Sequence, residues 1–166
     1  MATAEELLAT TGASDQILTI DLNTREIKIP NTVTNLGVES DDDVKRIYFR
    51  MPKQYGEFDM SQFDTRVNYM NAKKEGGMYV VSDTSINDSE GTLTFSWLVD
   101  RHVVGYAGAV EFNVCMKILD SEGAVIKEFN TAPASLPVKG GLETEEAIVE
   151  DNPSAFDNVL ARLYAL

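Results

Sequence analysis

The chain reads as an all-β protein: an antiparallel β-sandwich, immunoglobulin-like or jelly-roll-like, with a short N-terminal arm and a C-terminal helix. Three observations predict it. First, Leu93, Phe95 and Trp97 alternate with Thr92, Thr94 and Ser96, while Val110, Phe112, Val114, Met116 and Ile118 alternate with Glu111, Asn113, Cys115 and Lys117. That period of two belongs to a strand with one apolar and one polar side. Second, turn-forming clusters such as Asp21-Leu22-Asn23-Thr24 and Asp120-Ser121-Glu122-Gly123 separate short strand-like runs. Third, 166 residues with 43% hydrophobic and 25% charged side chains suit one domain with a real core. A sheet with one apolar face needs a second layer to cover it, and a second sheet is the layer this chain can supply.

The elements follow in order. Residues 1–16 form an arm or short helix, in which Glu5 and Glu6 suit the positive end of a helix dipole over Ala4 to Ala9. Residues 17–140 form the sandwich. Leu18 and Ile20, then Ile27 and Ile29, predict a hairpin closed by Pro30-Asn31. After the acidic loop Glu39-Ser40-Asp41-Asp42-Asp43, a strand carries Ile47, Phe49 and Met51 inward and Arg46, Tyr48 and Arg50 outward, and Pro52 ends it. Lys53 to Asp64 reads as a polar connection, Val67 and Tyr69 as a strand, Asn71 to Gly77 as a turn, Met78 to Val81 as a strand and Ser82 to Gly91 as a loop. The strands of Leu93 and of Val110 come next, and the second returns through Val125 to Phe129. From Thr131 the composition turns to Ala, Pro, Gly and Glu, which predicts a linker to Asp151. Residues 141–166 are linker plus an amphipathic helix, capped at Asp151 or Asn152 with Pro153 in its first turn. Its stripe of Phe156, Val159, Leu160, Leu163 and Leu166 recurs at three- and four-residue steps. Such a helix is too short to stand alone, so it either docks on the sandwich or joins copies of the chain, and these five residues are the oligomerisation candidates.

Charge and chemistry narrow the function classes. A net charge of −13 repels nucleic acid and anionic lipid. Met1 to Gly12 lacks the basic and apolar runs of a secretory signal, and no stretch reaches bilayer-spanning length, so synthesis in the cytoplasm is expected. One cysteine, Cys115, and one histidine, His102, leave no material for an internal disulfide or a zinc cluster, and no recognised nucleophile, phosphate-loop or dinucleotide motif is present. No catalytic residue, metal or cofactor is therefore assigned. Glu39 and Asp41 to Asp43 could offer oxygen ligands to calcium, but they lack the alternating spacing of a calcium loop and read as a solvated acidic turn. Tyr48 between Arg46 and Arg50 has the aromatic-plus-arginine character of a protein interface, and these three are the interface candidates. Tyr48, Tyr55, Phe58, Phe63, Tyr69 and Tyr79 offer a second reading, a sugar-binding surface.

The order of these signals carries a resemblance. Arg46-x-x-Phe49-Arg50 is followed by DMSQF (Asp59 to Phe63), VNYMNA (Val67 to Ala72) and VVSD (Val80 to Asp83). LTFSWLV (Leu93 to Val99), GYAGAVEFNV (Gly105 to Val114) and a D-x-x-G turn returning to KEFNT (Lys127 to Thr131) come after them. Over about residues 17 to 140, the pattern resembles the amino-terminal domain of upper baseplate proteins from tailed phages and prophages of Gram-positive bacteria, and their small virion relatives. The resemblance implies a non-enzymatic structural adaptor, located in the virion, that docks on other virion proteins of the baseplate, tail or capsid and self-associates, a trimer being favoured. The short helix at the end departs from that family, which leaves a capsid decoration or head-fibre base protein as the alternative. A carbohydrate-binding module is the further one.

Overall fold

Each alternating stretch becomes a strand whose apolar side turns inward, and the two sheets so formed close on one another. The computed structural model describes residues 2–12 and 14–141. A helix, α1 (Ala4–Thr11), precedes the strands β1 (Ile17–Ile20), β2 (Ile27–Lys28) and β3 (Lys45–Pro52). The chain continues through β4 (Gln54–Tyr55), β5 (Phe58–Asp59), β6 (Asp64–Met70), β7 (Gly76–Val80), β8 (Ser85–Asn87) and β9 (Thr92–Val99). A one-turn helix α2 (Arg101–Val104) leads to β10 (Gly108–Leu119), β11 (Val125–Asn130) and β12 (Ala134–Val138). The first sheet has the order β2-β1-β3-β9-β8. In the second, β7, β6 and β10 lie side by side, and the far edge of the long β10 is shared. Its first half, Gly108 to Phe112, pairs with β12, and its second half, from Cys115, pairs with β11.

The core is where the inner faces meet. Phe49 of β3 stacks on Phe95 of β9 with ring centroids 5.3 Å apart, and meets Phe112 of β10 edge-on at 6.2 Å. Trp97 lies 5.4 Å from Phe112 and stacks on Tyr69 of β6 at 5.9 Å. Aromatic pairs at these separations add to the free energy of burial and lock the two layers in register. Tyr69 needs room to lie there: a Cβ on the cross-strand neighbour Gly77 would sit 2.3 Å from its ring. Only glycine fits opposite it.

Several expectations are corrected. The sandwich is not wholly antiparallel: β1 runs parallel to β3, with Ile17 opposite Tyr48, because the chain after β2 passes through a long connection before β3 enters on the other side of β1. Val33 and Leu36 of that connection are buried in the core. The polar connection Lys53 to Asp64 contains the small β4–β5 hairpin and a 3-10 turn (Met60–Gln62), and the loop Ser82 to Gly91 contains β8. The stretch after Thr131 is not a linker throughout, since β12 pairs with β10, its Pro137 being tolerated on an outer strand. Ile118 is only half-buried, next to an irregularity in the β10–β11 ladder. The C-terminal helix and its candidates Phe156, Val159, Leu160, Leu163 and Leu166 lie outside the described residues.

Candidate functional site

The interface candidates sit together on the outer side of the first sheet, but that side is covered. Tyr48 is 4% exposed, and Thr94 and Ser96 on neighbouring β9 are buried as well. The cover is α1. Thr3 caps it by accepting from the Glu6 N–H, and Gly12 ends it in a left-handed conformation, its N–H donating to the Leu8 carbonyl. Eight residues do not hold a helix in water, so it persists by burying Ala4 and Leu8. Two polar clusters fasten it. Arg50 Nη2 donates to Glu5 Oε1 at 2.7 Å and Arg50 Nε to Thr94 Oγ1 at 2.9 Å, while the Thr94 hydroxyl donates to the same Glu5 oxygen at 2.8 Å. Arg46 Nη1 donates to Ser96 Oγ at 2.8 Å; the Ser96 hydroxyl donates to Asp83 Oδ2, and the Ser96 N–H donates to Asp83 Oδ1 at 3.0 Å. The Ala4 N–H reaches the Asp83 carbonyl at 2.8 Å and the Glu5 N–H reaches Ser85 Oγ at 3.1 Å. Tyr48 is thus buried at a seam between helix and sheet, and Arg46 and Arg50 form its partly exposed rim.

The remaining chemistry-bearing side chains are equally engaged. The Tyr69 hydroxyl lies 2.6 Å from His102 Nδ1, where burial, with the charge of Asp100, pushes its pKa up to about 12. Asn71 ties the same corner, its Nδ2 donating to the His102 carbonyl at 2.9 Å and to Glu75 Oε1 at 3.1 Å. Cys115 lies outside the core cluster, on the side of β10 shared with Lys117, but is buried there, and burial followed by the charge of Glu128 pushes its thiol up. The acidic loop is solvated, with Asp42 and Asp43 exposed, and it is also tethered. Glu39 accepts from the Ala107 N–H, Asp41 from Val38 and Asp42 from Arg101, at 2.9, 3.0 and 3.1 Å, so these carboxylates tie the loop to the start of α2 and of β10. Among the described residues, no group of three or more His, Cys, Asp and Glu side chains is placed to hold a metal ion.

Two open surfaces among the described residues gather apolar or aromatic side chains beside charged ones. The outer side of the second sheet carries Met70, Met78 and Val80 at 43%, 51% and 58% exposure, with Asn68, Arg66 and Glu111 beside them. Arg66 Nη1 reaches Met78 Sδ at 3.5 Å, and a shallow depression of about 200 Å³ lies between Met70, Glu111 and Pro133. The other is an aromatic cleft of about 280 Å³ between the β4–β5 hairpin and β11. Tyr55 and Phe129 meet edge-on at 5.6 Å there, the Arg25 guanidinium lies 4.0 Å over the Phe129 ring, and Lys127 Nζ is 5.5 Å from Phe58. Tyr55, Phe58 and Phe63 of the cleft are among the aromatics the sequence offers as a sugar-binding surface, whereas the rest of the cleft and the open sheet face are not visible in the sequence. Arg25 and Phe129 are joined only through the fold, and Met78 to Val81 reads simply as a strand. For the sheet face, the one local signal is that β7 carries no charged residue.

No family model and no curated protein matches the chain. Among solved structures, the N-terminal domain of phage TP901-1 ORF48 is similar to it, with a TM-score of 0.47 and 14% sequence identity, the match covering 75% of this chain and 97% of that one. Among the described residues, no helix is long and apolar enough to cross a membrane.

Proposed function

We propose that the chain is a phage virion structural protein without enzymatic activity, an adaptor that docks on another virion protein of the baseplate or tail-fibre attachment and self-associates. The observation that carries the reading is the difference between the two outer faces. One is sealed by α1, and the other presents Met70, Met78 and Val80 to solvent on a rigid sheet. Exposed apolar side chains grouped on a flat sheet favour a protein partner over a small substrate. The order of strand motifs from Arg46 to Thr131, which resembles the upper baseplate domains, points to a virion as the place where that partner is found. A net charge of −13 favours protein over nucleic acid as that partner. Self-association as a trimer rests on the stripe from Phe156 to Leu166. Purified particles should contain the protein in a fixed copy number, and deletion of its gene should yield particles lacking a substructure. Normal assembly, with the protein absent from wild-type particles, would overturn the proposal.

The aromatic cleft favours a second reading, a carbohydrate-binding module, because Tyr55, Phe58 and Phe129 offer faces to sugar rings and Arg25 offers hydrogen-bond donors. Glycan-array binding lost on Tyr55→Ala would support this reading, and a blank array would remove it. Tyr48 no longer belongs to this reading, since it is buried.

A further inference from the structure

The second sheet ends on β7, and β7 is an edge without protection. An exposed edge is a template for another strand, and proteins blunt it with charge, proline, a bulge, shortness or a covering segment. The other edges here use these devices. β2 has two residues, one of them Lys28, and β8 has three. β11 carries Lys127 and Glu128 and starts at an irregular register. β12 contains Pro137 and is crossed by the segment before β3: the Leu36 N–H donates to the Pro137 carbonyl and the Glu39 N–H to the Lys139 carbonyl. β7, Gly76-Gly77-Met78-Tyr79-Val80, has no charge, no proline and a regular register against β6.

The free groups of that edge are fixed by the register. Val81 N–H donates to the Thr65 carbonyl and Asn71 N–H to the Glu75 carbonyl, so the hydrogen-bonded pairs of the β6–β7 ladder are the odd-numbered ones. In an antiparallel pair the bonding alternates, so the N–H and C=O of Gly76, Met78 and Val80 point away from β6. None of them has a backbone partner among the described residues. The side chains of Met78 and Val80 stand on the open outer face at that same edge.

We propose that a second copy of this chain docks here, the two β7 strands pairing antiparallel about a two-fold axis at Met78. Self-complementarity supplies the argument for a second copy. Only the register centred on Met78 uses every free donor and acceptor of both strands, pairing Gly76 with Val80, Met78 with Met78 and Val80 with Gly76. Each bulky Val80 then faces a residue with no side chain, and the outer-face apolar groups of the two copies form one continuous patch across the axis. The contact satisfies the isologous rule that one patch meets itself. It also brings together two acidic chains at a strand that is itself uncharged. This contact uses none of the residues from Phe156 to Leu166 and is independent of the trimer drawn from that stripe.

The experiment is disulfide trapping in the full chain. Across a hydrogen-bonded antiparallel pair the Cα atoms are about 5.5 Å apart, within disulfide reach. Met78→Cys should therefore give a covalent dimer under mild oxidation, while Val80→Cys, whose counterpart is Gly76, should give several-fold less. Native Cys115 is buried and supplies the background control. A companion variant, Met78→Pro, removes one outward N–H without touching the ladder to β6, and should shift the chain towards monomer by light scattering in a Leu163→Asp background. Equal trapping at both positions, or none at either, would overturn the proposal. So would Met78→Pro that folds and self-associates unchanged, and incorporation into particles lost on Met78→Pro without any Met78→Cys dimer would assign the edge to an extended segment of another protein.

Discussion

The two outer faces of the sandwich are built from similar strands and end in opposite states. On the first sheet, Tyr48 of β3 and Thr94 and Ser96 of β9 lie beneath α1 with Arg46 and Arg50, and the polar groups of the two arginines, Thr94 and Ser96 are met by Glu5, Asp83 and one another. On the second, Met70, Met78 and Val80 lie open and β7 has an unused row of backbone donors and acceptors. Polar residues are covered and apolar ones exposed, the reverse of what alternation alone implies. The lesson is that a period of two reports which residues share a side and says nothing of what lies over that side.

The comparison can be broken most forcefully at Tyr48. If α1 seals the first face, Tyr48→Ala should cost about 3 kcal/mol in denaturant unfolding, the scale of an aromatic-to-alanine cavity. A change below about 0.5 kcal/mol would mean the face is open. Between the faces, Tyr69 offers a pH test. Its folded pKa of about 12 exceeds the ordinary value of 10.0, so the unfolded state loses its proton first as pH rises. Stability should be intact below about pH 10 and fall between about pH 10 and 12, by on the order of 2 kcal/mol. Tyr69→Phe should flatten that decline in chemical-denaturation curves. Arg50→Ala should cost only about 1 kcal/mol, because the Arg50–Glu5 pair is partly solvated, yet it should raise amide exchange across α1. Smallest of all, Met78→Ala should change chain stability by less than about 0.5 kcal/mol, as expected of a side chain that packs on little within its own chain.

Much of the fold was legible because its signals are local. The alternation of Leu93, Phe95 and Trp97 placed all three in the core, and Asp21 and Asp120 marked true hairpin turns. Asp21 accepts from the N–H groups of Thr24 and Asn23, which holds its carboxyl below the usual range. The rest depended on contacts distant in sequence. Glu5 meets Arg50 and Thr94 only after β3 and β9 have paired, so neither the fate of Tyr48 nor the docking of α1 could be read from neighbours. The parallel pairing of β1 with β3 leaves no mark on periodicity, and Pro137 disguised β12 as linker. The open face was missed for the same reason. Met70 and Met78 come to share an open outer side with Arg66 and Asn68 only once β6 and β7 have paired.

Amide hydrogen exchange, followed as the full chain is concentrated, tests the central claim most directly. The account predicts that the amides of Gly76, Met78 and Val80 exchange fast in dilute solution and slow as copies associate, while those of α1, β3 and β9 are slow throughout. If the β7 amides stay unchanged and protection grows instead over α1 and β3, the assignment of sealed and open faces is contradicted.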